Sequence, residues 1–418
     1  MVAETLSLYE GVCQATLENG LRILVNEVPQ SRSVSVGIWV RVGSRDDPVD
    51  GSGLAHFIEH LAFKGTAMRD AAAISEEIDA VGGHLNAATG KEATFYYAEV
   101  PADGLPTAVE LLADLVSNPT FAKEHIDLER NVVLEEIRGH EDDPEHVAYD
   151  LFAAGLWQDA HPISRSVLGS RKAIEAVHRP TVLSHHETFY RPETMVLAAC
   201  GRVEANRVFD LAMKLFPKQP GSSASLERTT PRFVAQRATH VRDSAQTHIY
   251  LGMHAPSAHS SDRFALEVAN SILGDGTSSR LFRVVREERG LAYVVASSVN
   301  YYSDAGLWLV YAGVAPETAD HVRELIDDEL RQLLRETPPE AEIELAKQKL
   351  RGHLILGLET NGNRAARLGT AAIQDRRILS PDDLLARLDA VDSAEIRRVL
   401  DTYLTPDAVN LAVIGSKN

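Results

Sequence analysis

A chain of 418 residues, 44% of them apolar, is long enough to bury a large core and to form two or three domains of ordinary size. Its formal net charge of -18 argues against nucleic acid as a partner and suits cationic or neutral substrates, or simply a uniformly acidic surface kept for solubility. The N-terminus has no basic stretch followed by an apolar run, and no segment approaches the roughly 18 apolar residues of a membrane span, so a cytoplasmic protein without membrane association is expected.

Residues 13–18, the Asn19-Gly20 pair and residues 21–26 read as strand, tight turn and strand. A third strand follows from Ser33 to Val42. Beyond a turn at residues 43–48 comes an apolar segment around His56 that reads as a helix, and a second helix is predicted over 71–81. His84–Thr89, Gly90-Lys91 and residues 92–100 read as a hairpin of the same kind as the first. Apolar periodicity predicts helices over 103–117, 122–140, 144–156 and 204–215, with an apolar strand from Thr194 to Cys200. Cys13 and Cys200 fall in strands and read as small core residues, with no disulfide framework and no thiolate metal site.

Residues 217–236 begin with a Pro/Gly/Ser-rich run without periodicity, which reads as a linker between a domain at 1–216 and a domain at 237–418. The two halves resemble each other. Ile137-Arg-Gly-His matches Leu350-Arg-Gly-His at an offset of 213, and the strand ending at Gly201 matches the one ending at Gly415 at an offset of 214. Tyr97-Ala-Glu-Val and Tyr311-Ala-Gly-Val, each followed by a helix, give a third match. The expected fold class is α+β, built as two copies of one unit, each a mostly antiparallel sheet packed with helices.

His56-Phe-Ile-Glu59-His60 carries the chemistry. On a helix, His56 and His60 stand at i and i+4 on one face, two preformed nitrogen ligands for zinc, with Glu59 beside them to deprotonate a metal-activated water. The pattern is the inverted form of the H-E-x-x-H metallopeptidase motif. A solvated pair of histidines is the alternative, weakened by Leu54, Phe57, Ile58, Leu61 and Phe63, which bury the helix. At an offset of 213, His56 falls on Ala269, His60 on Leu273 and Glu136 on Lys349, so the second copy lacks these groups.

A catalytic zinc takes three protein ligands and keeps one position open. Glu129 and Glu136 lie two helical turns apart on one face; Glu136 is the candidate third ligand and Glu129 a supporting carboxylate. Acidic helix residues more often face solvent, and that alternative stays open on spacing alone.

These residues, with Lys64-Gly-Thr, Asn86-Ala87, Glu92-x-Thr-x-Tyr96, Gly274 to Phe282 and Arg286 to Tyr293, resemble the pitrilysin-type (inverzincin) zinc metallopeptidases over nearly the whole chain, in the two-repeat form of the mitochondrial processing peptidase catalytic subunit and its bacterial homologues. The resemblance implies one zinc per chain on His56, His60 and Glu136, with Glu59 as general base and Glu129 as a supporting catalytic carboxylate. It implies that extended peptides add to an edge strand at Asn86 and Ala87, and that Arg286 and Tyr293 hold the substrate. It further implies a half clam shell that pairs as a homodimer, or as a heterodimer with a related inactive subunit. The expected function is a zinc endopeptidase of unfolded peptides; a non-catalytic assembly or peptide-binding subunit of the same fold is the alternative.

Overall fold

The computed structural model describes residues 2–217 and 226–416, so eight residues of the expected linker, 218–225, lie outside the described residues. The chain divides into two compact units, and the architecture of each is α+β.

Unit 1 is built on seven strands: β1 (Val2–Tyr9), β2 (Val12–Leu17), β3 (Arg22–Glu27), β4 (Ser33–Val40), β5 (His84–Thr89), β6 (Thr94–Pro101) and β7 (Met195–Gly201), in the order β1-β2-β3-β7-β4-β6-β5. All neighbours are antiparallel except β3 and β7. Both expected hairpins are present, β2 with β3 and β5 with β6. The strand β1 was not foreseen from the sequence. The central strand β7 is buried along its whole length, as a strand covered on both faces must be.

The helices of the first half are α1 (Leu54–Ala62), α2 (Ala71–Ala80), α3 (Leu105–Ser117), α4 (Lys123–Asp142), α5 (Pro144–Ala154), α6 (Arg171–Ala176), α7 (Arg179–Phe189) and α8 (Ala205–Leu215). Residues of α1, α3, α4, α7 and α8 pack on one face of the sheet around Ile38, Phe57, Leu112, Val133 and Phe209.

Unit 2 has five strands: β8 (Arg237–Val241), β9 (Thr247–Ala255), β10 (Ala292–Tyr301), β11 (Gly306–Val314) and β12 (Asn410–Gly415), in the order β10-β11-β9-β12-β8. The β8 and β12 pair is parallel and the rest antiparallel. Taken in corresponding positions this is the order β5-β6-β4-β7-β3 of unit 1, so the repeat seen in sequence is a repeat of topology. The second-half helices are α9 (Arg263–Leu273), α10 (Ala319–Arg335), α11 (Glu340–Gly357), α12 (Asn361–Ile373), α13 (Pro381–Asp389) and α14 (Ser393–Tyr403).

The units are not the two consecutive stretches that a division at 217–236 describes. Residues 139–164 belong to unit 2 and residues 356–380 to unit 1. Helix α12 lays Leu368, Ala372 and Ile373 on Leu24, Trp39, Val196 and Ala198, covering the second face of the unit 1 sheet. Helix α5 does the same in unit 2, where Ala148, Phe152 and Ala153 meet Tyr250, Leu307 and Ala412. Each sheet thus buries both faces by taking a helix from the other half of the sequence, which removes its apolar surface from water. From the linker, Arg228 is paired with Asp46 and Glu92 of unit 1.

Candidate metal centre

Helix α1 is fixed to the unit 1 core by Leu54, Phe57, Ile58 and Leu61, each no more than 1% exposed, the i, i+3, i+4, i+7 stripe of a buried helix. Its N-terminus is held by the Asp47 carboxylate, which accepts from the backbone N–H of Gly53 at 2.8 Å and of Ala55 at 3.0 Å. Burial pushes the Asp47 carboxyl up to about 7 against those amides. The turn before it is tied to the β5–β6 hairpin: Arg45 and Glu92 form a buried ion pair at 2.6 Å, and Gly43 lies so close to Gly90 that a Cβ there would stand 2.5 Å from its carbonyl oxygen. The end of β5 is thereby set beside α1.

With the apolar stripe facing the core, His56, Glu59 and His60 take the remaining face. Helix α4 brings the carboxylates. Ile126, Val133 and Ile137 bury one side of it, and Glu129 is carried in with them at 2% exposure. Glu136, two turns on, has its side chain 44% exposed.

The three candidate ligands converge. Nε2 of His56 and Nε2 of His60 each lie 3.7 Å from the same carboxylate oxygen, Oε2 of Glu136. Donor atoms of the three residues all fall within 4.8 Å of one another, and no other group of three or more such residues does so among the described residues. Zinc–ligand bonds of about 2.0–2.1 Å in a tetrahedron place donor atoms about 3.3 Å apart. At 3.7 Å the separations are too long for hydrogen bonds and close to that figure, so the residues fit a zinc ion. Burial, with His60 adding to it, pushes His56 down to about 4, which leaves it the neutral imidazole that ligation requires.

A second line of groups stands behind the first. Nδ1 of His60 lies 3.3 Å from Oε2 of Glu129, whose other oxygen is 2.9 Å from the Lys64 ammonium. A proton on Nδ1 donated to Glu129 leaves the lone pair on Nε2, facing Glu136. Glu59 accepts a 2.5 Å hydrogen bond from the Thr89 hydroxyl at the end of β5. Its carboxyl is raised by burial and by Glu136, with Thr89 and His60 opposing the shift.

Asn86 and Ala87 lie on β5, the edge strand of the unit 1 sheet. The Ala87 N–H is not given to β6; the Asn86 side-chain oxygen accepts it at 2.8 Å. Arg286 and Tyr293 belong to unit 2, where the guanidinium carbon lies 4.9 Å from the Phe282 ring centroid and 5.0 Å from that of Tyr293, itself 75% exposed. At the positions matching His56 and His60, unit 2 has Ala269 and Leu273, both fully buried, and Lys349 pairs with Asp275 where Glu136 would be. Sequence reasoning missed the parts played by Lys64, Thr89 and Asp47. Lys64 stands four residues after His60, a spacing that could have flagged it; Thr89 gave no local signal.

Two family models match the chain: Insulinase (Peptidase family M16) over residues 22–171, and Peptidase M16 inactive domain over residues 176–350. It is 40% identical over 411 residues to Uncharacterized zinc protease Rv2782c of Mycobacterium tuberculosis, covering 96% of this chain and 92% of that protein. It is 31% identical over 405 residues to Uncharacterized zinc protease YmxG of Bacillus subtilis, covering 96% and 98%. Among solved structures, a protease from Helicobacter pylori superposes with a TM-score of 0.90 at 23% identity, covering 96% of this chain and 98% of its own. A protein from Pseudomonas fluorescens described as a peptidase M16 inactive domain gives 0.91 at 21%, covering 97% and 98%. Those two show the fold alone, whereas the sequence matches reach further: the chain belongs to the pitrilysin-type peptidase family M16, in its two-repeat form.

Proposed function

We propose that the chain is a zinc-dependent endopeptidase of extended or unfolded peptides, with one zinc per chain held by His56, His60 and Glu136. The observation that carries this reading is the meeting of both Nε2 atoms on one oxygen of Glu136, in the repeat that has these groups and not in its copy. Zinc bound there would supply Lewis acidity, acidifying a water and polarising a scissile carbonyl.

The protein's own groups do the rest. Glu59 takes the proton of the attacking water and returns it to the leaving amine, with Thr89 holding its carboxylate in place. Glu129 keeps His60 in the ligating tautomer. The outward N–H of Ala87, held by the Asn86 side chain, becomes the first rung of a β-ladder once an extended peptide displaces that side chain, reading backbone more than side chains. Arg286 and Tyr293 are assigned to substrate holding on the strength of the family resemblance.

Cleavage of a mixed peptide library tests the reading. Turnover should vanish with a chelator, return with zinc, and fall by about 10²–10⁴-fold in Glu59→Gln while that variant still binds zinc. Zinc binding without any turnover in the parent protein would instead support a peptide-binding or assembly subunit.

A further inference from the structure

The face of α4 that carries Glu129 and Glu136 has a counterpart in the second repeat. At the offset of 213, Glu129 corresponds to Glu342 and Glu136 to Lys349, both on α11. Both are engaged in ion pairs there. Glu342 makes a two-pronged ion pair with Arg280, Nε to Oε1 at 2.8 Å and Nη2 to Oε2 at 2.6 Å, and Arg280 is 8% exposed. The Lys349 ammonium donates to the Asp275 carboxylate at 2.8 Å and also to the Asp275 carbonyl. The two helical turns between Glu342 and Lys349 thus grip both ends of one loop, 275–280.

That loop leads into the segment bearing Arg286 and Tyr293, and the backbone there is irregular twice over. Phe282–Glu287 is a π-helical turn, with Glu288 N–H bonded to the Arg283 carbonyl five residues back. Such turns are uncommon and concentrate at functional sites. The ladder of β10 with β11 then skips a residue, Ala292 opposing Val314 and Val294 opposing Gly313. The extra residue is Tyr293, and the bulge leaves Tyr293 and Val294 both facing outward, 75% and 40% exposed, between buried Ala292 and Val295. A bulge re-aims a side chain in this way. Its ring is then stacked on the Arg286 guanidinium.

We propose that Glu342 and Lys349 are positioning residues that hold the 275–280 loop through Arg280 and Asp275, and thereby aim Arg286 and Tyr293 at substrate. Leu281 and Val285, fully buried, transmit the constraint by fixing the π-turn to the core. The repeat has reused its second-copy carboxylate face as a clamp. The substrate role of the aimed pair rests on the peptidase reading above; the clamp itself rests on the contacts described here.

The test combines two readouts on the full chain, for Glu342→Gln and Lys349→Met. Amide hydrogen exchange over 281–294 should accelerate by about tenfold or more, as loss of a charge-assisted pair implies, with α1 and α4 unchanged. Peptide kcat/KM should fall by a similar factor at unaltered zinc affinity, and that fall should disappear in an Arg286→Ala, Tyr293→Ala background, because coupled groups are not additive. Unchanged exchange over 281–294 overturns the clamp, and so does a loss of kcat/KM that simply adds to that of the Arg286 and Tyr293 variants. A parent protein without zinc-dependent turnover overturns the peptidase reading instead, and hydrogen exchange still decides whether the clamp exists.

Discussion

Glu129 and His60, 69 residues apart in sequence, stand 3.3 Å from each other through Oε2 and Nδ1, and the Lys64 ammonium closes the line at 2.9 Å from the other carboxylate oxygen. A carboxylate behind a ligating imidazole fixes its tautomer and raises its basicity. Replacing Glu129 with Ala should therefore weaken zinc binding by about 10–100-fold, measured by competition with a chromogenic chelator. Glu129→Gln, which keeps an acceptor but not the charge, should fall between. Equal affinity in all three proteins would remove Glu129 from the metal site.

The edge of β5 makes a separate prediction. Because the Ala87 N–H is given to the Asn86 side chain and not to β6, Ala87→Pro removes a donor that the sheet does not use. Folding should survive, and KM for a peptide should rise by about 3- to 10-fold, the worth of one main-chain hydrogen bond. A KM that does not move would place the peptide elsewhere.

Helix α12 sits directly on Trp39. A Cβ on Gly369 would stand 2.4 Å from the indole ring, and Trp39 is 3% exposed and stacked on Phe95, so it has little room to yield. Alanine in a helix ordinarily gains up to about 1 kcal/mol over glycine, whereas overpacking costs about 1–3 kcal/mol. Overpacking should win, and Gly369→Ala should lower the thermal midpoint. A raised midpoint would mean that α12 does not pack this closely.

Acid sensitivity should follow from two neighbours on α7. His185 and His186 are each pushed down to about 4, chiefly by burial, with His186 adding to the shift of His185 and the Val116 carbonyl opposing that of His186. In the unfolded chain they titrate near 6.5. Between these values the unfolded state binds more protons than the folded one, so stability is fully present above about pH 6.5 and is lost as pH falls towards about 4. Urea midpoints across this window should drop less steeply in a His185→Gln, His186→Gln protein. An equal slope would assign the acid limb to other groups.

The sequence carried the metal motif because His56, Glu59 and His60 lie on one helical turn, where spacing alone sets geometry. Glu136 was legible as a partner of Glu129 at two turns, but its direction depended on which side of α4 the core would take, and Ile126, Val133 and Ile137 decide that only in three dimensions. The repeat was legible because it is written twice; strand order in unit 2 follows that of β3 to β7 position for position. What could not be read was the exchange of α5 and α12. An amphipathic helix announces that it has an apolar face without saying which sheet will receive it, and both helices stand next in sequence to the unit they do not join. The clamp on Arg280 and Asp275 was hidden for a related reason, since Glu342 and Lys349 look like ordinary surface charges until their partners are in place.

Zinc content per chain after equilibrium dialysis against a zinc buffer decides whether His56, His60 and Glu136 hold a single divalent ion. The parent protein should retain about one zinc, and Glu136→Gln should lose most of it under the same conditions, since a carboxylate ligand would be replaced by a neutral amide. A parent chain that keeps none, or a Glu136→Gln chain that binds zinc as tightly as the parent, would mean that these three side chains do not hold the ion.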